Sequence, residues 1–61
     1  MNASKRYNEL MNKVEKDLIL LNEKLTKHQT SFNQEPTNWG FIGDLGYVSE
    51  KIDEVLKFIN Q

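Results

Sequence analysis

Residues 7–32 read YNELMNKVEKDLILLNEKLTKHQTSF, and the spacing within them decides the fold. Apolar or aromatic side chains fall at Tyr7, Met11, Val14, Leu18, Leu21 and Leu25, followed by His28 and Phe32. The intervals alternate four and three, the a/d repeat of a helix that presents one seam to a neighbour. No Gly or Pro interrupts the stretch, and most remaining positions are good helix formers. Glu9 with Lys13, and Glu23 with Lys27, stand four apart with the acid first, the favourable orientation. This spacing predicts a first helix from about Ser4 to about Thr30.

Outward from that helix, residues 31–37 (SFNQEPT) read as a turn. Pro36 biases Glu35 away from the α region, so the first helix must stop before it. Thr37 or Asn38 then supplies a side-chain oxygen to cap the next helix. Phe41, Leu45, Val48, Ile52, Val55 and Ile59 repeat the four–three spacing, and Ile42 and Leu56 widen the stripe. Asp53 and Lys57 make a further i,i+4 pair. A second helix is predicted from about Asn38 to about Asn60. Two helices joined by a short loop run antiparallel. The expected fold is an all-α antiparallel two-helix hairpin, one domain over residues 1–61.

Within the first helix, Asp17-Leu18-Ile19-Leu20-Leu21 holds four apolar residues in a row. Four successive helical residues point all the way round, and a helix apolar all round is usually covered all round. Leu18 and Leu21 belong to the seam, whereas Ile19 and Leu20 point elsewhere. Burying a Leu or Ile side chain is worth ~1.5–3 kcal/mol. That is comparable to the ~3–5 kcal/mol that a single core supplies in so small a chain. The chain has no cysteine and one histidine, so neither disulfides nor a metal site offers reinforcement. Self-association remains. The expectation is a homodimer in which two hairpins form a four-helix bundle, with Met11, Leu18, Ile19 and Leu20 at the interface.

Residues 39–47, WGFIGDLGY, hold all three glycines and the only tryptophan. Each glycine in a helix costs ~1 kcal/mol relative to Ala, so the stretch is either a helix with a reason for its glycines or a wide turn. In the latter case the helix starts near Asp44, which then acts as its cap or as a favourable charge at its first turn. One reading has Trp39 plugging the open end of the hairpin against Phe32, with the glycines fitting tight packing there. The other makes Trp39, Gly40, Gly43, Asp44 and Tyr47 a partner-binding surface, since Trp and Tyr are enriched at interface hot spots.

The string Asn38-Trp39-Gly40, then Gly43-Asp44-Leu45, with Val48, Glu54, Leu56, Phe58 and Ile59, resembles the C-terminal part of small uncharacterised bacterial proteins of plasmids, phages and other mobile elements. The resemblance covers about the last third of the chain. Gly46 stands where that pattern has a helix former. The resemblance implies a helical accessory protein and no particular activity.

The formal net charge of −1 argues against strong non-specific nucleic-acid binding. The first helix is nonetheless net +2, six basic residues (Lys5, Arg6, Lys13, Lys16, Lys24, Lys27) against four acidic (Glu9, Glu15, Asp17, Glu23). Arg6, Lys13 and Lys27 share one heptad stripe and form a candidate RNA face. A dimeric bundle of hairpins of this length resembles, in size and layout, the Rop type of plasmid copy-number regulator.

Catalysis is not expected. His28 is the only imidazole and sits at a seam position, where it reads as a partly buried structural residue. Gly40, Gly43 and Gly46 are followed by no Lys-Ser/Thr and preceded by no strand, so they form no phosphate loop. Glu50, Asp53 and Glu54 read as a solvated helix face. No cofactor or metal is expected. No apolar run approaches the ~20 residues that cross a bilayer, and Met1 to Tyr7 is polar, so the expected location is the cytoplasm. Frequent Asn, Lys and Ile suit an AT-rich bacterial or phage genome. The sequence therefore points to a non-enzymatic helical interaction protein, with an RNA-binding regulator as the alternative.

Overall fold

A computed structural model describes residues 2–60. It holds two helices and, among the described residues, no strand. Helix α1 spans Ala3–Gln34 and α2 spans Trp39–Ile59. The chain divides between Thr30 and Ser31 into two compact units.

In the first unit α1 begins one residue earlier than its periodicity predicts, because Asn2 caps it. The Asn2 side-chain oxygen accepts from Lys5 N–H at 3.1 Å, and its carbonyl accepts from Arg6 N–H at 3.2 Å. These bonds satisfy N–H groups that the first turn leaves without intrahelical partners. The charge ladder differs from the predicted one. Glu9 pairs with Arg6 at 3.6 Å, and Lys13 turns the other way to Asp17 at 2.6 Å. Both pairs are exposed, and each contributes a few tenths of a kcal/mol to the helix at most.

The second unit contains the last turn of α1, the connection and α2. Ser31–Gln34 are helical, so the non-helical connection is only residues 35–38 rather than the predicted 31–37. The stop itself falls where Pro36 demands it, with Glu35 N–H still donating to the carbonyls of Ser31 and Phe32. Asn38 caps α2. Its backbone is extended (φ −85°, ψ 102°), and its side-chain oxygen accepts from Gly40 N–H at 2.9 Å. Its amide nitrogen reaches back to the Glu35 carboxylate at 3.4 Å. With Asn38 in this role, α2 starts at Trp39, and Asp44 lies in its second turn rather than at its cap.

Asn38→Ala removes the acceptor for Gly40 N–H. It is expected to cost about 1 kcal/mol, read as a fall in the denaturation midpoint with unchanged slope. Gly40 is matched to this cap. A Cβ placed on it would stand 3.0 Å from the Asn38 side-chain oxygen.

Lys57 lies in the last turn of α2, where a cation favours the helix dipole. No helix among the described residues is long and apolar enough to cross a membrane.

Candidate interaction surfaces

The apolar stripes are the first surface. No described residue of the chain is buried. Leu21, Leu25, His28 and Phe32 on α1, and Phe41 and Val48 on α2, are half-buried, and every other described residue is exposed. The stripe of α1 is therefore open along its N-terminal half, from Tyr7 to Leu18, the latter 58% exposed. The stripe of α2 is open along its C-terminal half, from Ile52 to Ile59. Leu10, outside the four–three series, adds exposed apolar area beside Val14. Its spacing of four to Val14 and eleven to Leu21 was the signal for it.

The expected interface residues do not share one face. At about 100° of rotation per residue, Met11 and Leu18 lie on the stripe. Ile19 and Leu20 flank its opposite side, and both are exposed.

The glycine segment is the second surface, and it is helical throughout. Trp39 does not plug the turn. Phe32 packs instead against Phe41, ring centroids 6.4 Å apart at 85°, an edge-to-face pair. Two residues of helix are about 200° of rotation, so with Phe41 turned towards Phe32, Trp39 faces the other way and is 77% exposed.

Of the predicted partner-binding residues, Trp39 and Gly43 lie on the side of α2 away from the apolar stripe, together with Gly46. Tyr47 lies at the edge of that side. Its ring carries the Lys51 ammonium 5.4 Å from its centroid, and Lys51 in turn reaches Glu54 at 3.5 Å. Exposed Phe58, eleven residues beyond Tyr47, continues this edge towards the end of α2.

Gly40 serves the cap, and Asp44 lies round towards the stripe. A Cβ at Gly43 or Gly46 would meet nothing within 4 Å. The roughly 1 kcal/mol that each glycine costs a helix relative to Ala is therefore matched by no close packing at the Cβ position among the described residues.

The basic stripe is the third surface. Arg6 is held by Glu9 and Lys13 by Asp17, so two of the three predicted RNA-contacting cations already face carboxylates. Leu20 occupies the heptad position between Lys13 and Lys27 and is 49% exposed.

Among the described residues no group of three His, Cys, Asp or Glu side chains gathers as metal ligands would. No family model, curated relative or solved structure matches the chain.

Proposed function

We propose that the protein is a small interaction protein that pairs with a second copy of itself and presents the Trp39–Tyr47 segment of α2 for macromolecular binding. In this reading α1 and α2 fold as an antiparallel hairpin. Two hairpins join as a four-helix bundle, with Met11 and Leu18 on the stripe that lines its core and Ile19 and Leu20 turned to the second copy.

One observation carries it. No described residue is buried, although 38% of the chain is hydrophobic. Ile19 and Leu20 are 64% and 49% exposed on the side of α1 away from its stripe, the side a hairpin leaves open, and covering a Leu or Ile side chain is worth ~1.5–3 kcal/mol.

Sedimentation equilibrium over a wide concentration range, with helicity followed in parallel, tests this. The expected result is a dimer whose helicity falls on dilution, because the pair and not the single chain completes the core. A monomer that keeps its full helicity at all concentrations overturns it.

A further inference from the structure

Two faces, one on each helix, match each other in spacing and in chemistry. On α1, Lys13, Leu20 and Lys27 stand seven apart and share a heptad position. On α2, Trp39, Gly46 and Asp53 also stand seven apart. We propose that these faces dock between copies, with Leu20 of one copy seated against Gly46 of the other. The proposal rests on the self-association reading above and makes the second copy itself the macromolecule that the Trp39 surface binds.

Leu20 is an apolar side chain about half exposed, and Gly46 leaves a gap in which a Cβ would meet nothing of its own chain. A knob from one helix over a missing side chain on the other lets the two backbones approach closely. With Leu20 over Gly46, the equal spacing sets one lysine over the Trp39 indole and the other opposite Asp53. This holds whichever way the helices run. An ammonium over an exposed indole is a favourable cation–π contact, and the lysine at Asp53 faces an acidic neighbourhood that includes Glu50.

The helices as wholes carry opposite charge. α1 is net +2. α2 is net −2, with Asp44, Glu50, Asp53 and Glu54 against Lys51 and Lys57. Such complementarity steers association and selects register. Lys13 already bonds Asp17, and an ammonium has three donors, so that bond leaves donors for Asp53. In a two-fold pair the contact is made twice.

The test uses sedimentation equilibrium of the full chain and four variants, with helicity read on each. Gly46→Leu fills the gap with a side chain whose Cβ meets nothing within 4 Å. It is expected to weaken association about tenfold or more, while helicity of the dilute chain holds or rises, since Leu is the better helix former. Asp53→Lys and Lys13→Glu/Lys27→Glu are each expected to weaken association. Lys13→Glu/Lys27→Glu/Asp53→Lys is expected to regain part of it. The double and triple variants share the same α1, so recovery has to come from position 53.

A Gly46→Leu chain that associates as tightly as the parent overturns the docking, as does a triple variant no tighter than the double. Those results leave self-association standing. A parent chain that stays monomeric at every concentration removes self-association and this contact together.

Discussion

Leu18→Asp is expected to raise the dissociation constant of the proposed pair by at least about a hundredfold, which is close to 3 kcal/mol, and to take most of the helicity with it. In the single chain Leu18 is 58% exposed. A substitution at an exposed site away from any special contact ordinarily changes stability by no more than ~0.5 kcal/mol. In a pair the same side chain lies inside the seam. A carboxylate there must lose its hydration with no partner positioned to receive it, which costs several kcal/mol. A two-fold pair contains the substitution twice.

The two expectations differ by more than any plausible propensity effect, since Leu and Asp differ by less than ~0.7 kcal/mol as helix formers. Leu18→Met serves as the control, because it keeps volume and apolarity and is expected to cost under ~1.5 kcal/mol. Sedimentation equilibrium and circular dichroism on the same samples read both outcomes. Parent-like mass and helicity for Leu18→Asp would show that the α1 stripe faces water in the working protein.

Phe41→Ala is expected to destabilise the second unit by about 2 kcal/mol. Phe→Ala in a full core costs ~3–5 kcal/mol, and Phe41 is only half-buried, so the lower figure follows. Its partner is identified by geometry, the edge-to-face contact with Phe32. A double-mutant cycle with Phe32→Ala is expected to give a coupling of about 0.5–1.5 kcal/mol. A coupling near zero would show that the two rings stabilise their helix ends independently. Trp39→Ala makes a pointed comparison. It removes a larger ring two residues away, yet is expected to leave the helicity of the isolated chain unchanged, because the indole touches solvent rather than a ring partner.

The helices were legible in the sequence because helical periodicity is a local property. The four–three spacing from Tyr7 to Phe32 and from Phe41 to Ile59 needs no knowledge of what lies across the seam. The end of α1 was legible for a similar reason, since Pro36 restricts its neighbour through sterics alone. The boundary residues were less so. Ser31–Gln34 have the composition of a turn, but nothing in them forbids a helix, and the bonds from Glu35 N–H to Ser31 and Phe32 carry it on. The ion pairs went astray because Lys13 has an acid on each side, Glu9 and Asp17, and spacing does not choose between them.

What the sequence by itself determined is an all-helical chain with two amphipathic stripes, a stop at Pro36 and a cap for the second helix at Thr37 or Asn38. Each of these follows from apolar spacing, backbone sterics or local hydrogen bonding. What only the tertiary structure decided is which aromatic closes the turn. The sequence offers Trp39 as the partner of Phe32 and places Phe41 on the stripe, and the choice depends on the angle at which α2 leaves its cap. Once Asn38 starts the helix at Trp39, Phe41 turns towards Phe32 and Trp39 is carried about 200° away. The same rotation leaves Gly43 and Gly46 facing open space, because their surroundings depend on distances between side chains that no spacing rule contains.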